Sequence, residues 1–349
     1  MNDSTKNTIA VVAAGVAITV LAAGAAVYMH NKASVSPVGE VDRQTVPTEP
    51  QPTFQHVDDP MSESPTAERL INFGGTQYRY REDIDTLLII GTDDYEVVDD
   101  SEGYYNYSQA DLLLLVVFDN TDRSYKIIQI NRDTMCGIRK YDVFGQYEGI
   151  VNMQIALSHT YGSGGQDSCR DTVFAVSRLL YDTEIDNYLA VTMGGVPVFN
   201  DLVGGVDVLV EDNFEGVDDT LVMGETVHLE GDHALTYVRA RMSMTDDPTN
   251  IGRMSRQRTY MVALMEALGE RLSEDPDFAV NSFSQLNSYV VSDLSTDRLE
   301  EYADKFLNYE QGEIIVPAGE SVEGEQFMEF YVDEDALQQL IVDTFYEPA

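Results

Sequence analysis

The sequence predicts a single layered α/β/α domain with a central mixed β-sheet, preceded by an N-terminal transmembrane helix and a proline-rich linker. Three observations lead to this prediction. An uncharged apolar stretch occupies residues 8–29, and six prolines fall within residues 33–66. From about residue 81 onward, short apolar runs alternate with amphipathic helical segments. Strands and helices intermixed through one continuous stretch are typical of a single layered domain.

The apolar stretch at residues 8–29 is long enough to cross a membrane. As a helix its 22 residues would span about 33 Å, and the apolar core of a bilayer is about 30 Å thick. We expect a single-pass signal anchor in the cell membrane, with residues 1–7 as a short cytoplasmic tail and the folded domain outside the cell. A cleaved signal peptide, for which Ala23-Gly24-Ala25 would be the cleavage pattern, and a buried soluble helix are the alternatives.

The segment between anchor and domain is predicted to be an extended linker over residues 30–80. Its prolines and its lack of apolar periodicity are typical of a solvated tether. The folded domain is then expected to occupy residues 81–349.

Composition excludes several classes of protein. The 349 residues include 21 Lys and Arg against 61 Asp and Glu, a formal net charge of -40. A chain this acidic would be repelled by a phosphate backbone, so no nucleic acid is expected as partner. Hydrophobic residues make up 43% of the chain, which is enough to bury a core and excludes disorder of the whole chain.

The elements of the domain follow from apolar patterns along the chain. Strands are predicted at residues 85–91, 110–118, 125–131, 206–210, 313–316 and 328–332. The second and third of these are joined by a polar turn, and runs that are apolar on both faces indicate central strands. Helices are predicted at residues 166–181, 195–202, 232–240, 252–272 and 335–346.

The scarce basic residues are concentrated. Residues 179–238 hold no Lys or Arg and thirteen Asp or Glu, whereas residues 239–258 hold five Arg. Arg suits bidentate binding of phosphate oxygens, and the first turn of a helix offers free N–H groups to an anion. The candidate anion-binding residues are Arg132, Arg239, Arg241, Arg253, Arg256 and Gln257. Surface ion pairs with the abundant carboxylates remain the alternative, above all for Arg256 and Arg258.

Two carboxylates lie at the ends of predicted strands instead of in acidic loops. Asp93 follows the first strand, and Asp111 begins the leucine-rich second strand. Two carboxylates together with substrate phosphates are a usual way to hold Mg²⁺. The alternative is that they cap a turn and a strand.

Six motifs in this order resemble the LytR-CpsA-Psr family of cell-wall glycopolymer phosphotransferases, over about residues 81–268. They are residues 87–93 (LLIIGTD), 110–116 (ADLLLLV), 130–134 (INRDT), 151–152 (VN), 237–241 (YVRAR) and 252–257 (GRMSRQ). The resemblance implies a membrane-anchored extracytoplasmic enzyme that moves a glycopolymer from a polyprenyl (undecaprenyl) pyrophosphate carrier to peptidoglycan.

By the same resemblance, Asp93 and Asp111 would bind Mg²⁺ or Mn²⁺, and the arginines would be catalytic. The implied catalytic residues are Arg132, Arg239, Arg241 and Arg253. The implied pyrophosphate-binding residues are these four together with Asp133, Arg256 and Gln257. The lipid tail would occupy an apolar pocket between sheet and helices.

The sequence departs from the family pattern at three positions. Tyr95 stands where an Arg is common, Asn131 replaces the usual Pro, and Ala110 replaces the usual Ser or Thr. None of these changes removes an implied metal ligand. The residues do not identify a general base, because Asp133 and Asp94 are both candidates and Asp133 would also suit orienting Arg132.

Two further questions stay open at the level of sequence. Cys136 and Cys169 are the only cysteines; in an exported domain they could form a disulfide, and the alternative is two free buried thiols. The function could also differ from transfer: the same residues would suit a polyprenyl pyrophosphate hydrolase, or a non-catalytic membrane-bound regulatory protein that binds lipid phosphates.

Overall fold

The structure is a computed structural model, and it describes residues 70–94, 108–240, 250–275, 278, 282, 285–325 and 327–349. The anchor predicted at residues 8–29 and most of the predicted linker lie outside these ranges. Across the ranges just given, no helix is both long and apolar enough to cross a membrane.

The described residues form fifteen strands and six α-helices. The strands are β1 (Leu70–Phe73), β2 (Thr76–Tyr80), β3 (Ile84–Thr92), β4 (Ala110–Asp119), β5 (Ser124–Ile130), β6 (Met135–Tyr141), β7 (Tyr147–Gln154), β8 (Asn187–Thr192), β9 (Val206–Leu209), β10 (Thr226–Leu229), β11 (Val290–Ser292), β12 (Glu310–Ile315), β13 (Gly319–Glu323), β14 (Met328–Val332) and β15 (Tyr346–Pro348). The helices are α1 (Gln166–Leu179), α2 (Gly195–Val203), α3 (Asp232–Arg239), α4 (Ile251–Glu274), α5 (Thr296–Asn308) and α6 (Glu334–Phe345). Short 3-10 helices occupy Ile155–Thr160 and Asn287–Tyr289.

Six strands build the central sheet, in the order β11-β8-β3-β4-β5-β12. The neighbours β8 and β3 run parallel, as do β5 and β12, whereas the other three pairs are antiparallel. The predicted mixed sheet is therefore confirmed. Its central strands are apolar on both faces because both faces are covered by helices.

The helices form a layer on each side of this sheet. On one face, α1 and α6 pack with Val176 and Ile341 against the sheet. On the other face, α4 and α5 contribute Met261 and Tyr302 to a second cluster. The predicted α/β/α layering is confirmed. A third cluster joins α2, α3 and α4 to the small hairpin of β9 and β10, beyond the second helical layer.

Every strand and helix predicted from the sequence is present, with its ends within about three residues of the prediction. The predicted boundary between linker and domain is wrong, however. Residues 70–80 are not extended linker but the β1–β2 hairpin, and β2 pairs with the C-terminal strand β15. The hairpin is ordered because its backbone groups bond to a strand that follows it by more than 250 residues, a partner that local composition does not indicate.

Candidate functional site

The candidate site lies at one edge of the central sheet. The parallel strands β3 and β8 both end at this edge, where Thr92 pairs with Thr192, and β4 begins there with Ala110. The β3–β4 register shifts between Gly91 and Thr92. A bulge of this kind bends a strand and redirects its side chains. Strand ends from three segments of the chain therefore bring their polar residues together.

Asp111 is the centre of the site. Its side chain is 6% exposed, and its two oxygens contact different arginines. Oδ1 accepts a hydrogen bond from Nη1 of Arg132, and Oδ2 accepts one from Nη1 of Arg253 at 3.0 Å. The two arginines come from the end of β5 and the first turn of α4 and are buried, so two cationic groups face one carboxylate away from bulk water, where their interaction is strengthened.

A second set of polar side chains orients these arginines. Gln109 accepts a hydrogen bond from Nη2 of Arg132. Asn250 accepts one from Nε of Arg253 at 2.7 Å and donates one to Oδ1 of Asn131 at 3.3 Å. The two asparagines thereby connect the segment that carries Arg132 to the helix that carries Arg253.

Asp93 lies beside Asp111. Its Oδ1 accepts a hydrogen bond of 2.6 Å from the backbone N–H of Gln109. Burial raises the pKa of Asp93, and the negative charge of Asp111 raises it further, although the nearby Arg132 opposes this. A cation between the two carboxylates would stabilise the charged form of Asp93 against the cost of burial and against repulsion from Asp111. The donor chemistry of the pair therefore fits a hard divalent cation.

Asp93, Asp111 and the two buried arginines line a polar cleft at the surface, referred to below as the cleft. Its described walls are Asp93, Gln109, Asp111, Arg132, Val217, Asp232, Leu235, Thr236, Arg239, Ala240 and Arg253. The space between them, open mouth included, is about 1230 Å³. Arg239 is exposed at the end of α3, in contrast to the buried Arg132 and Arg253. Among the described wall residues, three aspartates and three arginines have formal charges that cancel.

An apolar pocket adjoins the cleft at Asp111, which lines both. It lies between the sheet and helices α2 and α4, with walls that include Ile90, Val191, Phe199 and Leu264, and it encloses about 900 Å³ with its mouth. Gly91 lines it where a side chain would collide with Leu112, because an added Cβ would lie 2.8 Å from the Cβ of Leu112.

Polar atoms in the wall of the apolar pocket point to a ligand. Oε1 of Gln257 and Oγ1 of Thr192 are buried and have no hydrogen-bond partner among the described residues. A buried polar atom without a partner is costly, and a bound ligand could satisfy it. Gln257 therefore belongs to the pocket, one turn of α4 beyond Arg253.

The structure separates Arg256 from this group, so its predicted role in anion binding is wrong. Arg256 is buried on another face of α4, where Nη1 contacts Asp212 at 2.5 Å and Nε donates to the carbonyl of Tyr237 at 3.2 Å. Its Nη2 donates to the carbonyl of Ala240. Residues three apart on a helix differ in direction by about 60°, and here that angle places Arg253 in the cleft and Arg256 against the C-terminal end of α3.

Asp133 lies behind the cleft instead of in its wall. Oδ1 of Asp133 is 3.5 Å from Nε of Arg132 and accepts a hydrogen bond of 3.0 Å from Gln154. This geometry suits orienting Arg132, the alternative considered from the sequence, more than direct contact with a substrate. Arg241 and Tyr95 lie outside the described residues, so their predicted roles stay predictions. Gln109 and Asn250 were not identified from the sequence.

The structure has no disulfide between Cys136 and Cys169, so the predicted disulfide is wrong and both residues are buried thiols. They pack in the apolar cluster under α1, and Sγ of Cys169 lies 3.8 Å from Nε2 of His159. His159 is itself buried, with Nδ1 3.4 Å from the carbonyl of Ser108, and burial lowers its pKa to about 4. These groups have structural contacts and do not face the cleft.

Comparisons with known proteins agree with this fold. The sequence model of the LytR_cpsA_psr family matches residues 57–341 of this chain. The polyisoprenyl-teichoic acid–peptidoglycan teichoic acid transferase TagU of Bacillus cereus is 28% identical over 260 residues, which are 73% of this chain and 76% of the relative. A solved structure of TagT bound to LI-WTA has a TM-score of 0.55 at 19% identity, covering 75% of this chain and 90% of that one. The crystal structure of B. subtilis TagV has a TM-score of 0.53 at 22% identity, covering 76% and 98%.

Proposed function

Because the chain belongs to the LytR_cpsA_psr family, we propose that it is a transferase that moves a glycopolymer from a polyprenyl pyrophosphate carrier to peptidoglycan. Its relative TagU has the name of a teichoic acid transferase that acts from a polyisoprenyl carrier to peptidoglycan. One observation carries the assignment of the substrate to this site: Asp111 lines both the charged cleft and the apolar pocket. A molecule with a pyrophosphate joined to a hydrocarbon tail fits two such adjoining spaces.

In this proposal the arginines bind the pyrophosphate. Arg132 and Arg253 lie at the base of the cleft, and the exposed Arg239 lies at its rim, so phosphate oxygens entering the cleft meet guanidinium groups on both sides. Asp111 holds the two buried arginines in place before substrate arrives. Preorganised cations of this kind stabilise the charge that develops on transferring phosphoryl oxygens.

We further propose that Asp93 and Asp111 hold Mg²⁺ or Mn²⁺. Throughout the described part of the chain, no three His, Cys, Asp or Glu side chains form a metal-binding group, so the remaining ligands would be phosphate oxygens and water, as is usual for Mg²⁺. The cancelling charges of the cleft support this proposal, because an anionic pyrophosphate would otherwise enter a site without net positive charge. When bound, the metal would neutralise charge on the phosphate oxygens.

The proposed reaction is a displacement at the phosphorus nearest the sugar. The hydroxyl oxygen of peptidoglycan forms the new bond to this phosphorus and releases its proton to solvent, the bond to the bridging oxygen breaks, and the lipid phosphate leaves with that bonding pair. In this proposal Arg132 and Arg253 bind the leaving phosphate, and Gln109, Asn250 and Asp133 orient the two arginines. The apolar pocket excludes water from the side of the lipid tail.

The location of the enzyme follows from its proposed substrates. Residues 8–29 would anchor the chain in the cell membrane in a single pass, and the domain would lie outside the cell, where the peptidoglycan acceptor is. The 22 uncharged residues of this stretch support an anchor, since about 20 apolar residues suffice to span a bilayer.

Transfer of a labelled glycopolymer from its lipid carrier to peptidoglycan tests the proposal. Arg132→Ala and Arg253→Ala should each reduce transfer by about 10²- to 10³-fold. Arg258→Ala is the matched control, because Arg258 lies on the same helix but donates to Gln129 at 2.6 Å, outside the cleft. Full transfer in both cleft variants would contradict the site.

The same assay separates the alternatives and tests the metal. Release of the glycopolymer without an acceptor would indicate a hydrolase, and binding of the lipid without turnover would indicate a regulatory protein. EDTA should abolish transfer and Mg²⁺ should restore it, whereas Asp93→Asn should raise the Mg²⁺ concentration needed for half-maximal activity. Transfer that is insensitive to EDTA would refute the metal site.

A further inference from the structure

The β6–β7 hairpin ends in two of the most exposed large apolar side chains among the described residues. Val143 is 88% exposed and Phe144 is 83% exposed. They are adjacent at the apex of the turn between the strands, and we call them the apolar tip. Large apolar groups held in water are unfavourable, and contiguous ones commonly mark a surface that is covered in the working protein.

The turn holds the apolar tip outward. Oδ1 of Asp142 accepts hydrogen bonds of 2.8 Å from the backbone N–H groups of both Phe144 and Gln146. The backbone N–H of Gly145 donates to the carbonyl of Asp142 at 3.0 Å, and Gly145 has φ +78°, which suits glycine. These bonds fix the backbone of the turn, and with it the positions from which the two side chains extend.

Below the apolar tip, the hairpin has the side chains typical of a membrane interface. Tyr141 packs against Tyr147 and Tyr161, with ring centroids 5.8 and 5.4 Å apart. Arg139 and Lys140 precede Tyr141 on the same strand and pair with Asp171 and Glu148. Tyrosines at the level of the headgroups and basic side chains beside them are enriched where proteins enter the surface of a bilayer.

A series of contacts connects the hairpin that carries the apolar tip to the wall of the cleft. Tyr141 contacts Tyr161, which directly follows the 3-10 helix at Ile155–Thr160. His159 in that helix reaches the carbonyl of Ser108, the neighbour of Gln109 in the cleft wall. A continuous series of contacts thus connects the hairpin to the cleft.

The chain enters the domain at the end of the central sheet that is opposite the cleft. Arg81, which follows β2, contacts Asp119 at 2.7 Å, and Asp119 ends the strand that begins near Asp111. Eight residues of strand separate these aspartates by about 27 Å. The 40 residues between the predicted anchor and β1 could reach about 130 Å when extended. The tether would thus keep the domain near a membrane without turning the cleft toward it.

Charge also favours a lipid surface at this position. Residues 139–150 contain two basic and two acidic side chains, so this segment has no formal net charge in a chain of -40. Glu148 is paired with Lys140 at 2.7 Å, and Oδ1 of Asp142 accepts hydrogen bonds from two backbone N–H groups of the turn. An anionic bilayer would repel this neutral segment less than the acidic surface elsewhere.

We infer that the apolar tip inserts into the surface of a lipid bilayer and holds the cleft beside the membrane that contains the lipid-linked donor. This inference rests on the proposed function for the identity of the donor. Insertion itself depends only on the hairpin. The tether would supply proximity, and the hairpin would supply orientation.

Tryptophan fluorescence tests the insertion directly, because the chain contains no Trp. The variant Phe144→Trp is reconstituted as the full chain in liposomes of neutral and anionic phospholipids. Its tryptophan should emit at a shorter wavelength than the tryptophan of the same chain denatured without detergent, and brominated lipids should quench the emission. The matched control is Phe327→Trp, at a 66% exposed position on the β13–β14 turn, whose emission should not respond to brominated lipids. Equal responses of the two variants, or no quenching of Phe144→Trp, would overturn the inference.

A second variant links insertion to activity. The double variant Val143→Ser/Phe144→Ser should reduce transfer from a donor embedded in liposomes by about tenfold, equivalent to about 1.4 kcal/mol, and should leave transfer from a detergent-solubilised donor unchanged. An equal loss in both assays would overturn the inference. A shift of Phe144→Trp emission caused only by peptidoglycan fragments would assign this surface to the acceptor instead. Absence of transfer by the wild type in detergent would refute the proposed function, and the quenching result would remain interpretable.

Discussion

Arg253 and Arg256 provide the sharpest test of the structure, because the sequence predicts one role for both and the structure gives them two. They are three residues apart on α4. Arg253 pairs with Asp111 in the cleft, whereas Arg256 binds the carbonyls of Tyr237 and Ala240 at the C-terminal end of α3. A cation at that end of a helix satisfies carbonyl groups that have no partner within the helix.

The expected loss of stability can be worked out from these contacts. Arg256→Gln removes a buried guanidinium from two backbone carbonyls and from Asp212, whose side chain is 35% exposed. Breaking a fully buried pair costs about 3 to 5 kcal/mol, and the partial exposure of Asp212 lowers this to about 3 kcal/mol. For a domain of this size, the melting temperature should then fall by about 6 to 12 °C.

Arg253→Gln should affect activity and leave stability nearly unchanged, the reverse of what we expect for Arg256→Gln. Asp111 keeps its contact with Arg132, and removal of one buried cation also removes the cost of burying it. The melting temperature should therefore change little, whereas transfer should fall by about 10²- to 10³-fold. Calorimetry and the transfer assay at a temperature where both variants are folded make the comparison. A stable but inactive Arg256→Gln, or an unstable but active Arg253→Gln, would refute the assignment of these two faces of α4.

Three other predictions concern buried groups near the site. Burial lowers the pKa of His159 to about 4, so the imidazole of the unfolded chain is protonated at a higher pH than that of the folded chain. Between pH 7 and 5 the free energy of unfolding, measured by urea denaturation, should therefore drop by about 2 kcal/mol more in the wild type than in His159→Gln. Equal drops in the two proteins would argue against a buried neutral imidazole. Burial raises the pKa of Cys136 to about 12, so Cys136 and Cys169 should react with a thiol reagent only after unfolding. A reductant should leave the melting temperature unchanged, and a lower melting temperature in reductant would contradict the two thiols. Asn250→Ala should lower the kcat of transfer by about tenfold, because Nε of Arg253 loses its acceptor, whereas Asn250→Asp, which keeps an acceptor oxygen, should lose less; identical losses would mean that Asn250 acts in another way.

Elements with a strong local signal were predictable, and those defined by distant partners were not. The strand β4 contains a nearly continuous apolar run and was predicted to within a residue. The hairpin of β1 and β2 was missed because it depends on β15 at the other end of the chain. The helix α5 was missed although it had a signal: Leu299, Tyr302 and Phe306 form one apolar face, and Ser295 caps the first turn.

The site shows the same division. Asp93 and Arg132 stand beside apolar strands, and sheet geometry alone makes their proximity a reasonable prediction. Gln109 and Asn250 had no comparable signal, since their roles arise from contacts with arginines on other elements. Asn250 stands directly before α4, where a capping residue is common, but its side chain is used by Arg253 instead of by the backbone of the helix.

The sequence by itself determined which chemical groups are available, the mixed sheet that carries them, and the family to which the chain belongs. Each of these depends on local pattern: apolar runs form central strands, and short motifs hold Asp and Arg at strand and helix ends. Only the tertiary structure decided that Arg253 faces Asp111 while Arg256 supports α3, that Cys136 and Cys169 remain thiols, and that the charged cleft adjoins an apolar pocket. These outcomes depend on the rotation of each helix about its axis and on the packing of segments far apart in the chain, and neither is encoded in the residues next to them.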